Sequence, residues 1–333
     1  MRIQNLLFVM VLLGMANNGY CLSVLEYPYA PYNLGKLDPQ ITGWPLIDSE
    51  LTWVSKTEYT RKPGHEASQH LPAMWPVTPT AAHWKGKDPA SAQKNVWIDH
   101  HATLVAQVQA AKKEKDERGD IDIVLFGDSI TQGWGGGFDG QPFNSAWKKH
   151  FSTLRTLNLG IGGDRVENIL WRLDHGAVDG ISPKIVILLI GVNNAPLVTA
   201  NGIPVESVAM GISLVVKNLR ARCPQTKVLV MHLLPAFKPG GVVHEDIKRI
   251  NHTVAEQKLD ADPQVFYLDL WRDFTNQEGS LTVDAYSDGH LHLGAVGYER
   301  YAAKLKPMVD RLLADQAVNT QTRSPQQNNL LNK

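Results

Sequence analysis

Five short aliphatic runs punctuate the middle of the chain: IDIVLF (121–126), RTLNL (155–159), KIVILLI (184–190), KVLVMHLL (227–234) and VFYLDLW (265–271). Three of them are nearly uninterrupted, the pattern of strands covered on both faces rather than wet on one. Helical periodicity fills the intervals. In residues 206–222, Val208, Ile212, Val215, Val216 and Leu219 fall on one face. HEDIKRINHTVAEQKL and GYERYAAKLKPMVDRLL supply two more helices, and VWIDHHATLVAQVQAAKKEKDE reads as an amphipathic helix stopped by Gly119. Strand and helix alternating in this way predict a parallel sheet with helices on both faces.

The flanks differ in character. Residues 1–21, MRIQNLLFVMVLLGMANNGYC, have the layout of a secretory signal peptide: Arg2, then an apolar run too short to span a bilayer comfortably. The expected location is therefore secreted or periplasmic, with an N-terminal membrane anchor as the alternative. If cleavage follows Cys21, only Cys223 remains, and no disulfide framework can form. Residues 22–95 are rich in Pro, Trp and Tyr and show no sustained period. Each proline fixes its own φ and restricts its predecessor, while the aromatics argue against disorder. This stretch is expected to be an extension packed on the main domain, or alternatively a surface-binding module. The main domain is expected over 96–315 and a polar, disordered tail over 316–333.

Charge narrows the partners. Over 333 residues, 33 Lys and Arg balance 33 Asp and Glu, so the chain carries no electrostatic footprint for nucleic acid or an anionic membrane. Nucleic acid is therefore not an expected partner, and no stable membrane insertion is expected once the signal is removed. The oligomeric state is left open.

Open parallel sheets bind ligands at the carboxyl ends of their strands, so the residues after each run matter most. GDSITQGWGGG follows the first, and a serine at such a turn can lift its hydroxyl above the sheet; the alternative is that Asp128 or Ser129 only caps the helix. No G-x-S-x-G elbow occurs. LGIGGDRVENILWRL follows the second, with Gly160, Gly162 and Gly163 available for close backbone approach, or for a tight turn capped by Asp164. It lacks the G-x-G-x-x-G spacing of a dinucleotide site. GVNNAP follows the third and places Asn193 and Asn194 where an amide can meet a ligand or serve a turn. Near the C-terminus, SDGHLHLGAVGY (287–298) supplies Asp288, His290 and His292. Together these bring a nucleophile, amide donors and an Asp/His group to one sheet edge, the parts of acyl transfer. A metal site on His290-x-His292, or on His100 and His101, is the weaker alternative, because no H-E-x-x-H or C-x-x-C supplies further ligands.

GDSI (127–130), NLGIGGD (158–164), GVNN (191–194) and the terminal Asp/His segment resemble, in order, the four sequence blocks of the SGNH/GDSL hydrolases. Within that superfamily, LNLGIGGDRVENILWRL and ISPKIVILLIGVNN are most similar to the catalytic-subunit type of platelet-activating-factor acetylhydrolase and its bacterial relatives. The resemblance covers roughly residues 96–314. It implies an α/β fold, a flavodoxin-like three-layer α/β/α sandwich on a five-stranded parallel sheet of order 2-1-3-4-5. It implies Ser129 as nucleophile and an oxyanion hole formed by the N–H groups of Ser129 and Gly163 with the side-chain amide of Asn193. No metal or organic cofactor is implied. The family spaces its acid and base D-x-x-H. HLGAVGY, starting at His292, fits the family's run to Gly297-Tyr298, which makes His292 the expected base. Asp288, one residue further away than the pattern, is then its expected partner, and His290 a loop residue.

The expected function is a secreted serine esterase acting on small-acyl, chiefly acetyl, esters of carbohydrates. The alternatives are a phospholipid or platelet-activating-factor-like acetylhydrolase or lysophospholipase, and a non-catalytic carbohydrate-binding protein on the same fold. The expected partner is then a small-molecule or polysaccharide ester, and Trp134, Phe138 and Trp147 are candidates for stacking on sugar rings, with core packing as the other reading for all three and at least as strong for Trp147. Trp134, Asp128 and Asn194 are the expected substrate contacts.

Overall fold

A computed structural model describes residues 96–202 and 204–322. The signal segment, the Pro- and Trp-rich extension and residues 323–333 lie outside the described residues. The chain divides into two units, Met1–Gln69 and His70–Lys333, and every described residue belongs to the second.

Five strands form one sheet: β1 (Ile123–Gly127), β2 (Thr156–Asn158), β3 (Ile185–Leu189), β4 (Lys227–Met231) and β5 (Val265–Leu268). Their order is β2-β1-β3-β4-β5 and every neighbouring pair is parallel, as expected. β1, β3 and β4 are buried along their whole length, which explains why their sequences lack polar alternation. In the register, Ile123 lies beside Ile185 and Gly127 beside Leu189, so β1 and β3 end level and release their loops at one edge. The last two aliphatic runs outlast their strands. Beyond Met231 the chain leaves the sheet, and Asn251 holds Leu233 there by bonds to both its N–H and its carbonyl, each 2.8 Å.

The helices are α1 (Val96–Lys113), α2 (Lys115–Arg118), α3 (Ser129–Gln132), α4 (Ser145–Phe151), α5 (Val166–Asp174), α6 (Ala195–Asn201), α7 (Val205–Arg222), α8 (Val242–Glu256) and α9 (Ala295–Thr322). α4 packs on α9, while α5, α7, α8 and α6 pack in succession. The five apolar positions that predicted α7 are all buried. α9 continues to Thr322, so residues 316–322, expected in the tail, extend the last helix instead. No Gly or Pro stands between Met308 and Thr322 to interrupt its hydrogen-bond ladder. Among the described residues no helix is long and apolar enough to cross a membrane.

Candidate active site

Three connections at the carboxyl edge of the sheet converge. The first is the turn from β1 into α3. Asp128 caps α3, its Oδ1 accepting from the Ile130 N–H at 3.0 Å. Ser129 follows as the first helical residue, half-buried. Cap and nucleophile candidate are thus adjacent residues.

The second connection, β2 to α5, lies against that helix. A Cβ on Gly160 would stand 2.8 Å from the Thr131 carbonyl carbon and nearer still to the Gln132 nitrogen, so only glycine permits this approach. Asn158 ties the two together, its Nδ2 donating to the carbonyls of Thr131 (2.8 Å) and Gly135 (2.7 Å). Gln132 Oε1 accepts from Gly162 N–H at 2.8 Å. Gly163 comes next, exposed, at φ +77°. Asp164 then turns inward to a buried ion pair with Arg172 (2.7 Å) and accepts from the Trp97 indole (2.6 Å), which anchors the turn to α5 and α1. From the third connection, Asn193 donates one Nδ2–H to the Asp164 carbonyl at 2.9 Å, leaving its second N–H available. Among the described residues, no protein acceptor lies within hydrogen-bond reach of the Ser129 or Gly163 backbone N–H.

The loop before α9 completes the site. An isolated antiparallel bridge between Tyr286 and Leu293 closes it, and Ser287 N–H donates to the His292 carbonyl at 2.8 Å. Inside it, Asp288 Oδ1 accepts from the N–H groups of His290 (3.0 Å), Leu291 (2.8 Å) and His292 (3.0 Å). His292 Nδ1 is 2.7 Å from Asp288 Oδ2, and Nε2 is 3.0 Å from Ser129 Oγ. With the proton assigned to Nδ1, the imidazole donates to Asp288 and accepts from the serine hydroxyl. Partial burial pushes the Asp288 carboxyl up, but the three backbone donors and His292 together outweigh it and hold it well below the usual carboxylate range. His290 faces away, its Nδ1 bonded to the Asp288 carbonyl at 3.0 Å.

The expected substrate contacts are placed otherwise. Trp134 is 2% exposed, edge-on to Trp147 and Tyr298 with ring centroids 5.2 and 4.6 Å away. It is core, because the glycines around it let the chain fold the ring inward between α4 and α9. Trp147 is buried in the same cluster. Asp128 and Asn194 are buried too, the first as a helix cap and the second bonded to Val166 and Glu167. Phe138 is half-buried, stacked on the His100 ring at 3.7 Å. Ser129 instead opens onto a groove of about 370 Å³ lined by Gln132, Gly133, Gly135, Asp139, Gln141, Pro142 and Asn144. Sequence reasoning missed Gln132, whose position three residues after Ser129 was the one local signal, and Glu167, whose partner Asn194 is 27 residues away.

Among the described residues no group of three or more His, Cys, Asp or Glu side chains could hold a metal ion. Both ring nitrogens of His292 are engaged, and the His101 ring packs against Trp97 and Trp171.

A hydroxyl, an imidazole and a carboxylate in series, beside unengaged backbone N–H groups, are competent for nucleophilic acyl transfer. Comparison with known proteins agrees in class. The family described as GDSL-like Lipase/Acylhydrolase matches residues 125–300. Platelet-activating factor acetylhydrolase IB subunit alpha1 of Homo sapiens is 32% identical over 218 residues, covering 66% of this chain and 84% of its own. The same subunit of Rattus norvegicus is 30% identical over 238 residues, 69% of this chain and 93% of its own. A solved structure from Streptococcus pneumonia, 22% identical, covers 65% of this chain and 95% of its own with a TM-score of 0.50, and shares the fold. The chain belongs to the GDSL-like lipase/acylhydrolase family and is an ester hydrolase by class.

Proposed function

We propose that the chain is a secreted serine esterase that removes acetyl groups from carbohydrate esters through an acyl-enzyme on Ser129. The observation that carries this reading is the His292 ring set between Ser129 Oγ and Asp288 Oδ2. Ser129 Oγ attacks the ester carbonyl as its proton passes to His292 Nε2, and Asp288 stabilises the imidazolium. The oxyanion meets the Ser129 and Gly163 N–H groups and the second Nδ2–H of Asn193. The C–O bond to the alcohol breaks, and the alcohol leaves with the proton from His292. Water, deprotonated by the same ring, attacks the acyl carbon and releases acetate and free Ser129.

The substrate class rests on the groove beside Ser129. Four amide or carboxylate side chains and exposed glycine backbone line it, with Pro142 the apolar exception, and such a surface suits hydroxyl-rich alcohols. Secretion rests on the signal-like first 21 residues. A second reading, acetyl hydrolysis of a phospholipid of the platelet-activating-factor type, is favoured by the names of the mammalian relatives. A panel of acetylated sugars, acetylated phospholipids and p-nitrophenyl esters of rising chain length, each with a Ser129→Ala control, separates the two. The carbohydrate reading expects kcat/KM highest on acetylated sugars; preference for phospholipid overturns it. No turnover on any ester would favour a non-catalytic binding protein.

A further inference from the structure

We propose that Glu167 is a positioning residue for the oxyanion hole, acting through Asn194 to hold the Gly163 turn and Asn193 at one separation. The inference rests on the serine-esterase reading above. The two halves of the hole sit on different connections: Gly163 between β2 and α5, Asn193 between β3 and α6. Oxyanion donors act only when held within hydrogen-bond distance of the developing charge, so the spacing of these loops must be fixed.

Among the described residues, three hydrogen bonds from the Asn193 and Asn194 side chains cross from one connection to the other. Asn193 Nδ2 donates to the Asp164 carbonyl at 2.9 Å, but that amide is itself a working donor and cannot serve as its own support. The other two belong to Asn194. Its Oδ1 accepts from Val166 N–H at 3.1 Å, and its Nδ2 donates to Glu167 Oε2 at 2.8 Å. Both side chains are dry, Asn194 at 1% and Glu167 at 4% exposure. A bond to a carboxylate in such surroundings is shorter and stronger than a neutral one, and it has little competition from water.

Burying a carboxyl at the start of α5 is costly, and an apolar side chain would avoid that cost. Its partners account for its presence: Asn194 on one oxygen, and the Arg165 guanidinium 3.7 Å from the other. Glu167 thus reaches no reacting atom, yet it fixes the residue beside Asn193 and, through Val166, the strand of chain leading from Gly163. A loss of this clamp lets the hole widen without removing any donor.

The test is a double-mutant cycle on p-nitrophenyl acetate with Glu167→Ala, Asn193→Ala and the pair. Glu167→Ala is expected to lower kcat about 10–100-fold with KM within about twofold, the cost of misplacing catalytic groups by a fraction of an ångström. With Asn193 already truncated, the same change should cost distinctly less, because the two act as one unit. Glu167→Gln, which keeps an acceptor for Asn194, should recover most of kcat. Fully additive losses, an effect on KM alone, or unchanged turnover in Glu167→Ala would overturn the clamp. An Asn193→Ala enzyme with full turnover would overturn the oxyanion assignment beneath it, and the clamp with it. Should Glu167→Ala fail to fold, Asn194→Asp sets two carboxyls face to face and should lose turnover. Adding Glu167→Gln restores a bond of reversed polarity and should recover it, and failure to recover overturns the proposal.

Discussion

His292 Nδ1 lies 2.7 Å from Asp288 Oδ2 although three residues separate them in sequence, one more than in the family's D-x-x-H spacing. The extra residue is absorbed by winding the loop around the carboxylate. Gly289 takes φ +80°, a left-handed turn that a side chain would resist, and the next three N–H groups point at Asp288 Oδ1. These donors hold the carboxyl well below the usual carboxylate range and in place against His292 Nδ1.

Asp288→Asn separates these two duties. The asparagine Oδ1 can still accept the three backbone N–H groups, so the loop should persist. Its amide NH₂ would face Nδ1 and favour the tautomer that cannot take the Ser129 proton. We expect kcat to fall about 10³–10⁴-fold, as for loss of the acid in a serine triad, with an unchanged far-UV spectrum. Wild-type turnover in this variant would mean that another group orients His292.

His290 and His292 are told apart by partner. The His290 side chain bonds only to the Asp288 carbonyl and is exposed, while its backbone N–H donates to the Asp288 carboxylate and its carbonyl accepts from Phe237 N–H at 2.6 Å. His290→Ala should therefore leave kcat within about threefold, whereas His292→Ala should cost 10⁴-fold or more, on the order of removing a triad base. Steady-state kinetics on one activated ester decide it, and the reverse ranking would contradict the assignment.

The strands were legible because three are dry on both faces, and a run such as KIVILLI can be little else in an alternating chain. Their ends were less so: beyond His232 and Asp269 the pairs Leu233-Leu234 and Leu270-Trp271 are as apolar as the strands, and only pairing partners far along the chain decide where the ladder stops. Ser129, Gly163, Asn193 and His292 could be named as candidates because each follows a strand or precedes a helix in a recognisable block. Trp134 was misplaced for the opposite reason. GWGGGF looks like an exposed loop, and nothing local reveals that Tyr298 and Tyr301 on α9 receive the ring. Glu167 escaped because a buried carboxyl on a helix reads as surface until its partner is known.

Trp134→Ala should consequently act on stability. Removing a fully buried indole costs about 3–5 kcal/mol. For a domain of this size that lowers Tm by roughly 10 °C, with KM for sugar esters little changed. A raised KM with unaltered thermal unfolding would return Trp134 to the substrate groove.

Asp128 carries a pH signature. Burial pushes its carboxyl up to about 7 against the Ile130 N–H bond, and Asp164, Tyr298 and Tyr301 face it with further negative or negative-going groups. Its Oδ2 has no hydrogen-bond partner among the described residues. A raised carboxyl binds its proton more tightly folded than unfolded, so its contribution to stability falls as pH rises from about 4 to about 7 and then levels. Asp128→Asn keeps the cap oxygen and abolishes the titration. In denaturant unfolding at pH 5 and pH 8, the asparagine variant should gain on the wild type by an amount on the order of a few kcal/mol. A pH-independent difference would contradict the raised carboxyl.

The central claim is covalent, and it is tested most directly by trapping Ser129. The protein is incubated with diethyl p-nitrophenyl phosphate, residual esterase activity is followed, and the modified residue is located by peptide mass spectrometry. One diethylphosphoryl group on Ser129, formed in step with the loss of turnover and absent from Ser129→Ala, is the expected result. Turnover surviving in Ser129→Ala, or inactivation with the label on another residue, would contradict the account.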